Sequence, residues 1–449
     1  MARDLSGIVK AYDIRGVVGD ALTPDTAARL GAAFASLVAG EATRVAVGRD
    51  MRVSSPELAS AFAEGVTGQG LDVIDIGLAS TDLLYFAAGR LDAPGAMVTA
   101  SHNPAAYNGF KLCRAGAVPV AEELRQIRAD AERGLPETGR RGTVTERDLL
   151  GDYADYLHGL VDLSGSRRLR VVVDAGNGMA GHTVPAVLRE PFVELVPLYF
   201  ELDGSFPNHE ANPLDPANLV DLCKEVVAAG ADLGLAFDGD ADRCFVVDEL
   251  GQPVSPSAIT ALVAVRELAR EPGGTVIHNL ITSRAVPEIV TEHGGRPVRT
   301  RVGHSFIKQT MAETGAIFGG EHSAHYYFRD FWRADSGLLA ALHVLAALGE
   351  RSAPLSELMT DYGRYAASGE INSTVADPVA TLSAVKRHYG GRDGVVTDEL
   401  DGLTVALPGG AWFNLRPSNT EPLLRLNVEA ADAEAVAALR ADVLALVRQ

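Results

Sequence analysis

Cysteine is scarce in this chain of 449 residues, and the three that occur are scattered without paired spacing. Cys113, Cys223 and Cys244 therefore suit a reducing compartment, and they exclude a cysteine-based zinc site. No apolar run reaches the length that spans a membrane, and the first residues contain neither a long apolar core nor a small-residue cleavage site. We therefore expect a cytoplasmic protein with no membrane partner.

Positive charge is also in short supply. The chain has 40 Lys and Arg against 59 Asp and Glu, which gives a formal net charge of -19. This balance argues against a nucleic-acid partner, and any anionic substrate has to be held by a local cluster of cations. Lysine is rarer than arginine, yet Lys10, Lys111 and Lys308 lie inside glycine-containing motifs.

The length is too great for one compact core and predicts several domains. Three segments run from an apolar strand through a small-residue turn into a helical pattern, which is typical of α/β domains: "RVAVGRDMRVSSPELASAFAEG", "LRVVVDAGNGMAGHTVPAVLRE" and "GTVIHNLITSRAVPEIVTEHGG". After Tyr365 the pattern changes to short strands and a final helix near Asp432, which indicates an α+β domain. The predicted domains are 1–150, 151–254, 255–367 and 368–449.

Two helix starts combine a hydroxyl cap with a proline at the first helical position. Thr23-Pro24 and Ser55-Pro56 both fit this pattern. We therefore predict that Thr23 and Ser55 are N-caps.

The segment "LGLAFDGDADRCFVVDE" places three aspartates in a tight turn between two strands. Asp238, Asp240 and Asp242 supply hard oxygen ligands for a divalent cation, and magnesium is favoured. A calcium EF-hand is excluded because Arg243 occupies the position that needs glycine. A polar hairpin turn remains the plain alternative.

The segment "GAMVTASHNPAAYNGFK" brings Ser101 to the carboxyl end of an apolar strand, where open α/β sheets bind their ligands. No G-x-S-x-G elbow accompanies it, so a hydrolase nucleophile is not indicated. The plain alternative is a turn started by Asn103-Pro104, in which Ser101 satisfies backbone groups. His102 is interpreted as a local hydrogen-bonding residue.

Two later segments add sugar-binding and phosphate-binding candidates. "GAIFGGEHSAHYYF" exposes Glu321 and Ser323, which suit sugar hydroxyls, and His325, which can act as an acid or base. A hairpin with a solvated carboxylate explains the same residues equally well. "NLRPSNTEPLLRLN" gathers donors that suit a phosphate, against the alternative of a solvated turn: Arg416, Ser418, Asn419, Thr420 and Arg425. Weaker single candidates are Tyr12 and Arg15 in "KAYDIRG", and His304, Ser305 and Lys308 in "VGHSFIK".

Taken together, "TASHNP", "DGDADR", "GEHSAH" and "RPSNTEP" occur in an order and at separations by which the sequence resembles the α-D-phosphohexomutase family. The resemblance covers essentially the whole chain. It implies an α/β fold of four domains around a central cleft: three related α/β domains with mixed sheets, and a smaller C-terminal α+β domain.

The resemblance also implies roles for the motif residues. Ser101 would be carried as a phosphoserine that binds Mg²⁺ with Asp238, Asp240 and Asp242, and Lys111 would be the general base. The implied cationic or proton-transfer residues are Arg15, Arg243, His304 and His325. The implied substrate contacts are Tyr12, Gly303, Glu321, Ser323, Arg416, Ser418, Asn419, Thr420 and Arg425.

The implied reaction moves a phosphoryl group between C1 and C6 of a hexose phosphate, with glucose or mannose 1,6-bisphosphate as activator. "GEHSAH" and Asn419 are similar to bacterial phosphomannomutases that often accept glucose phosphates too. A monomer or weak dimer is expected. The alternatives are a phosphoglucosamine mutase, a phosphatase and a non-catalytic phosphosugar-binding protein. Several bacterial relatives have a lysine in the segment aligned with "IHNLITSRAV"; this chain has none, and Arg284 is the candidate substitute.

Overall fold

The computed structural model describes residues 4–10, 13–189, 191–417 and 423–448. The chain divides into two compact units. The first comprises the described residues of Met1–Val254 and Ser323–Glu357, and the second those of Ser255–His322 and Leu358–Gln449. Within the described ranges, no helix has both the length and the apolar character needed to cross a membrane.

The first unit begins with a six-stranded sheet. Its elements are β1 (Ile14–Val17), α1 (Pro24–Val38), β2 (Arg44–Arg49), α2 (Ser55–Gly68), β3 (Asp72–Leu78), α3 (Thr81–Arg90), β4 (Gly95–Val98), β5 (Tyr107–Cys113), α4 (Leu124–Arg133), β6 (Val144–Glu146) and α5 (Leu150–Leu160). The strand order is β1-β5-β4-β2-β3-β6. Strands β4, β2, β3 and β6 are parallel, and β5 is antiparallel to β1 and β4. The carboxyl ends of β2 and β4 therefore lie side by side.

A second sheet follows in the same unit. Its elements are β7 (Leu169–Asp174), α6 (Ala180–Val187), β8 (Val193–Leu198), α7 (Val220–Ala229), β9 (Leu233–Phe237), β10 (Cys244–Asp248) and β11 (Pro253–Val254). The strand order is β11-β10-β9-β7-β8. Strands β9, β7 and β8 are parallel, whereas β10 is antiparallel to β9 and β11. The turn between β9 and β10 carries the three aspartates.

The next elements belong to the second unit. They are α8 (Pro256–Arg270), β12 (Thr275–Asn279), α9 (Ala285–Glu292), β13 (Arg296–Thr300), α10 (His304–Thr314) and β14 (Phe318–Gly320), and β12 pairs in parallel with β13 and β14. The chain then returns to the first unit with β15 (Tyr326–Phe328), β16 (Ala334–Asp335) and α11 (Gly337–Gly349), where β15 and β16 are antiparallel. Helix α12 (Leu355–Met359) follows.

The second unit ends in an antiparallel sheet with two helices. Its elements are β17 (Ala366–Thr374), α13 (Pro378–Tyr389), β18 (Val396–Asp398), β19 (Leu403–Ala406), β20 (Trp412–Pro417), β21 (Leu423–Ala430) and α14 (Ala433–Val447). The strand order is β17-β21-β20-β19-β18. The predicted fold class, three α/β domains with mixed strand pairings and a C-terminal α+β domain, is confirmed.

The local predictions are confirmed except at one helix start. The three strand-turn-helix segments are β2–α2, β7–α6 and β12–α9, and Thr23 caps α1 by accepting a bond from the Thr26 N–H. Ser55 was wrongly predicted as a cap, because it lies inside α2 and Ser54 occupies the cap position. The Ser55 hydroxyl instead donates to the buried carboxylate of Asp50.

Candidate active site

Ser101 lies in the turn after β4 in a strained backbone conformation. Its φ is 50°, in the left-handed region that costs a non-glycine residue about 1–3 kcal/mol. The side chain is 1% exposed, and Oγ donates to Asp238 Oδ2 at 2.8 Å. The aspartate turn approaches so closely that a Cβ on Gly239 would lie 2.4 Å from the Ser101 carbonyl oxygen. The tertiary structure therefore joins two motifs that are 137 residues apart.

The three aspartates form one buried cluster. Asp238 follows β9, Asp240 and Asp242 precede β10, and their ligand oxygens lie within 4.8 Å of one another. Burial and the other two carboxylates raise the pKa of Asp238 well above its ordinary value. Burial and Asp240 raise the pKa of Asp242 to about 6. Burial also acts to raise the pKa of Asp240, but the positive charge of Lys111 outweighs it and lowers that pKa below its ordinary value.

The chemistry of this cluster fits a metal ion. Among the described residues, Oδ1 of Asp240 and Oδ1 of Asp242 are buried and accept no hydrogen bond. Leaving a buried oxygen without a hydrogen-bond partner costs about 1–3 kcal/mol, and the cost is higher for a charged group. Carboxylate oxygens are the ligands that hard divalent cations prefer. Asp242 also forms an overlapping group with His325 and Asp335. The cluster can therefore hold a metal ion.

Lys111 lies on β5 and faces the aspartates. Its Nζ donates to Asp240 Oδ2 at 2.6 Å and to Asp242 Oδ2 at 2.5 Å. Burial acts to lower the pKa of Lys111, but the two carboxylates raise it above its ordinary value. Lys111 is thus an ammonium ion in this arrangement. Thr81, the first residue of α3, also donates to Asp240 Oδ2.

Arg243 connects the aspartate turn to two histidines. Its Nε lies 3.5 Å from Asp238 Oδ2 and donates to His325 Nε2 at 3.2 Å. Its Nη2 lies 3.1 Å from His102 Nδ1. Burial and the charge of Arg243 lower the pKa of His102 well below its ordinary value, so this imidazole is neutral. Ser323 Oγ lies 2.9 Å from His325 Nδ1.

Arg15, on β1, also contacts the Ser101 turn, because its Nη1 donates to Asn103 Oδ1 at 2.5 Å. An ion pair with Asp13 at 2.7 Å orients its Nε. Tyr12, the other candidate of this segment, lies outside the described residues. The first unit therefore gathers one set of predicted residues: Arg15, Ser101, Lys111, Asp238, Asp240, Asp242, Arg243, Ser323 and His325.

In the second unit, Glu321 is hydrogen-bonded to one backbone N–H and one side-chain amide. Its side chain is buried, and Oε1 accepts bonds from Gly303 N at 3.1 Å and Asn279 Nδ2 at 3.2 Å. Gly303 has a φ of 130° and immediately precedes α10. Glu321 therefore fixes the turn that starts this helix. His304 is the first residue of α10, and its side chain lies outside the described part of the chain.

Arg416 and Arg425 face each other across β20 and β21. Glu370 of β17 is close to both, with an oxygen 3.3 Å from Arg425 Nη1 and another 3.7 Å from Arg416 Nη2. Within the described ranges, the buried Nε atoms of both arginines have no hydrogen-bond partner. Like charges opposite each other destabilise a sheet; Glu370 offsets this repulsion in part, and a further anion would stabilise the pair of arginines. Ser418, Asn419 and Thr420 lie outside the described residues.

The same arginine is linked to the turn before α10. Arg416 Nη1 lies 3.8 Å from Asp401 Oδ2, and that oxygen accepts a bond from Val302 N at 3.2 Å. Arg284 has other contacts: its guanidinium stacks 4.0 Å from the centre of the Tyr365 ring and donates to the Gly410 carbonyl. The Arg284 guanidinium is therefore held by contacts within the protein.

Sequence reasoning missed three groups near Ser101. Asp50 and Arg52 form a buried ion pair directly after β2, and Thr81 contacts the aspartates. The pair carried a usable signal, because two charged residues follow an apolar strand and the carboxyl end of such a strand is where α/β sheets bind ligands. No motif surrounds Thr81, so no comparable signal marked it.

Comparison with known proteins covers the whole chain. Family models described as "Phosphoglucomutase/phosphomannomutase, alpha/beta/alpha" domains I, II and III match residues 6–136, 151–251 and 255–365, and that family's C-terminal domain matches 370–446. The chain is 41% identical over 435 residues to the phosphomannomutase of Escherichia coli K12, covering 94% of each protein. It is 39% identical over 431 residues to the phosphomannomutase/phosphoglucomutase of Pseudomonas aeruginosa, covering 95% of this chain and 92% of that protein.

A solved structure supports the same assignment. The crystal structure of a phosphoglucomutase/phosphomannomutase family protein from Burkholderia thailandensis matches with a TM-score of 0.90 at 35% identity, covering 100% of this chain and 98% of that one. All four domain models and relatives above 30% identity thus agree with the four sequence motifs and with the clustered side chains. The chain belongs to the α-D-phosphohexomutase family and is an enzyme of the phosphohexomutase type.

Proposed function

We propose that Ser101 is the phosphoryl carrier of a mutase that interconverts hexose 6-phosphates and hexose 1-phosphates. The observation that carries this proposal is the position of Ser101 Oγ, 2.8 Å from Asp238 Oδ2 and beside two further buried carboxylates. Lys111 adds an ammonium group to the same cluster. A hydroxyl at the edge of a buried acidic cluster suits phosphoryl transfer, where catalysis rests on positioning and charge neutralisation.

The proposed reaction has two mirrored steps. The phosphoserine P–O bond breaks while the phosphorus bonds to the free hydroxyl of a hexose monophosphate. That hydroxyl gives its proton to a base, and the departing Ser101 oxygen takes up a proton from an acid. The resulting 1,6-bisphosphate then returns its other phosphate to Ser101. The acid and base exchange roles between the steps. Arg243, Arg15, His304 and His325 are the proposed cationic and proton-transfer contacts.

Asp238, Asp240, Asp242 and the Ser101 phosphate are the proposed ligands of Mg²⁺. When bound, this ion supplies charge neutralisation for the phosphoryl group that is transferred. Lys111 is the proposed general base. Without a bound cation, the carboxylates of Asp240 and Asp242 keep Lys111 protonated. A divalent cation on the same carboxylates would offset their negative charge and lower the pKa of Lys111, which would allow it to lose its proton and act as a base.

The remaining residues are proposed to hold the substrate. Arg416 and Arg425 bind the phosphate that does not react, because their buried Nε donors have no hydrogen-bond partner among the described residues and guanidinium matches phosphate geometry. Glu321 and Ser323 bind sugar hydroxyls. The further proposed contacts, which lie at Gly303 or on residues outside the described ranges, are Tyr12, Gly303, Ser418, Asn419 and Thr420.

Mannose phosphate is the proposed main substrate and glucose phosphate a second one, because the relatives carry both names and the two sugars differ only at C2. Glucose or mannose 1,6-bisphosphate is the proposed activator. We also propose a cytoplasmic monomer or weak dimer, divided into 1–150, 151–254, 255–367 and 368–449. Cell fractionation and size-exclusion chromatography test the location and the assembly.

A phosphorus-31 magnetic resonance assay tests the reaction. Purified protein is given Mg²⁺, a trace of glucose 1,6-bisphosphate, and in turn mannose 1-phosphate, glucose 1-phosphate or glucosamine 1-phosphate. We expect the 6-phosphates of mannose and glucose to appear. Inorganic phosphate alone would indicate a phosphatase, and glucosamine 6-phosphate as the main product would indicate a phosphoglucosamine mutase. No product with any sugar would indicate a binding protein.

The variant Ser101→Ala tests the carrier. We expect it to fold, because Ala keeps the volume of a buried small side chain, and to lose mutase activity completely. Mass spectrometry of wild-type protein incubated with the bisphosphate should locate one phosphate on Ser101. Activity near that of the wild type would remove Ser101 from its role.

A further inference from the structure

Arg52 is a buried arginine whose guanidinium is fully engaged by the Ser101 turn and by one carboxylate. It is 1% exposed. Its Nη1 donates to the carbonyls of Pro104 and Tyr107, both at 2.9 Å. Its Nη2 donates to the carbonyls of Ser101 at 2.8 Å and Asn103 at 2.6 Å. Four bonds from one side chain therefore reach both ends of the segment 101–107.

The fifth guanidinium N–H and the backbone N–H of Arg52 bind Asp50. Nε donates to Asp50 Oδ2 at 3.2 Å, and the backbone N donates to Oδ1 at 3.0 Å. Ser55 Oγ donates to the same carboxylate and accepts a bond from Asn108 Nδ2 at 2.9 Å. Asp50 thus aims the guanidinium at the turn, and α2 and β5 hold Asp50.

The loop that follows β8 covers Arg52. A Cβ on Gly204 would lie 2.5 Å from Arg52 Cα, and Cζ of Arg52 lies 5.1 Å from the centre of the Phe206 ring. Every guanidinium N–H already has an acceptor within the protein, and the side chain is shielded from solvent. Arg52 is therefore placed to act on the reaction through the turn, without touching a substrate.

We propose that Arg52 is a positioning residue, which holds the strained Ser101 peptide so that Oγ stays at the acidic cluster throughout turnover. This proposal rests on the proposed role of Ser101 as phosphoryl carrier. A positive φ at Ser101 persists only where the surrounding structure enforces it. The bond from Arg52 Nη2 to the Ser101 carbonyl, on the side of the peptide that Gly239 also approaches, supplies such a restraint.

The variant Arg52→Lys tests the proposal. Lysine keeps the charge but has three N–H donors on one atom, so it cannot bond both ends of the turn and Asp50 together. We expect kcat to fall about 100-fold, the size of effect that a displacement of about 1 Å can cause, while KM for the sugar phosphate changes less than about threefold. Transfer from phosphorylated Ser101 in a single turnover should slow by the same factor.

Two control variants lie on β2, the strand that precedes Arg52. Arg44→Lys makes the same substitution at the other end of β2, where Arg44 donates to the carbonyl of Leu91. Val45→Ala removes buried methyl groups without touching the turn. We expect both variants to keep kcat within about twofold. Arg44→Lys is a surface change and should be nearly neutral, whereas Val45→Ala should lower the free energy of unfolding, which is measured by urea unfolding.

Two further measurements separate positioning from general stability. In Arg52→Ala, added guanidinium ion should restore part of kcat, and ammonium ion should not. If that variant does not fold, Asp50→Asn replaces it: Arg52 remains but loses its orienting charge, and kcat should fall while KM stays constant.

The outcomes are distinct. The proposal is overturned if Arg52→Lys keeps the kcat of the wild type or raises KM alone. It is also overturned if Val45→Ala, with the same free energy of unfolding as Arg52→Lys, shows the same loss of kcat. If Ser101→Ala stays active, the proposed function fails and this inference fails with it. If Ser101→Ala is inactive while Arg52→Lys turns over normally, only the role of Arg52 is lost.

Discussion

Replacing Arg416 by alanine should weaken substrate binding and leave the chemical step nearly intact. Among the described residues, the carboxylate oxygens nearest to its guanidinium, on Glu370 and Asp401, lie 3.7 and 3.8 Å away, which is beyond hydrogen-bond distance. Little internal bonding is therefore lost, and removing Arg416 relieves its repulsion with Arg425 across the strands. The main loss is one charge-assisted bond to phosphate, about 1.5–3 kcal/mol, which corresponds to a rise in KM of about 10- to 150-fold.

A steady-state assay with purified Arg416→Ala, at saturating Mg²⁺ and bisphosphate, measures kcat and KM separately. We expect kcat to stay within about threefold, because the phosphate held here does not react and its binding is shared by ground and transition states. Arg387→Ala, an exposed arginine of α13, is the matched control and should match the wild type. An unchanged KM in a folded Arg416→Ala would refute the phosphate site.

Three further perturbations test other parts of the molecule. Lys111→Met should lower kcat by about 100-fold or more, because a general base is lost. It should also destabilise the protein, because buried Asp240 and Asp242 lose their cation. A kcat near that of the wild type would contradict the role of Lys111 as the base. Chelation by EDTA should abolish mutase activity and added Mg²⁺ should restore it, whereas full activity in EDTA would exclude the metal role of the aspartates. His209 lies 2.9 Å from the buried carboxylate of Asp174. Burial acts to lower its pKa, but Asp174, helped by the Glu210 carbonyl and by Asp221, raises it above the ordinary value of 6.5. The stabilisation is therefore complete below pH 6.5 and disappears as the pH rises through the folded-state pKa. His209→Gln should lower the free energy of unfolding by about 1 kcal/mol at acidic pH and by less at alkaline pH. An equal loss at both would contradict the pair.

The elements that position the site were predictable because their signals are local. Apolar runs that end in small or acidic residues identified β4 before Ser101 and the β9–β10 turn of aspartates. Turn chemistry and the cap at Thr23 follow from neighbouring residues alone. Ser55 failed for the opposite reason: a carboxylate five residues earlier, brought close by the path of the chain, takes the hydroxyl that the local pattern assigns to a cap.

Contacts within the site depended on which strand ends meet. Nothing local indicates that Lys111 pairs with Asp240 and Asp242, that Arg416 and Arg425 share one cross-strand position, or that Glu321 bonds to the N–H of Gly303. The contacts of Arg284 with Tyr365 and the Gly410 carbonyl were likewise not indicated by its position in the sequence.

By itself the sequence determined the secondary-structure pattern, the fold class, the family and the motif residues, because each depends on residue type and short-range spacing. Only the tertiary structure decided that Ser101 meets Asp238 across 137 residues, and that Arg52 bonds four carbonyls of the Ser101 turn. The physical reason is that hydrogen bonds and charge pairs act over a few ångströms, and the sheets bring together residues that the chain keeps far apart.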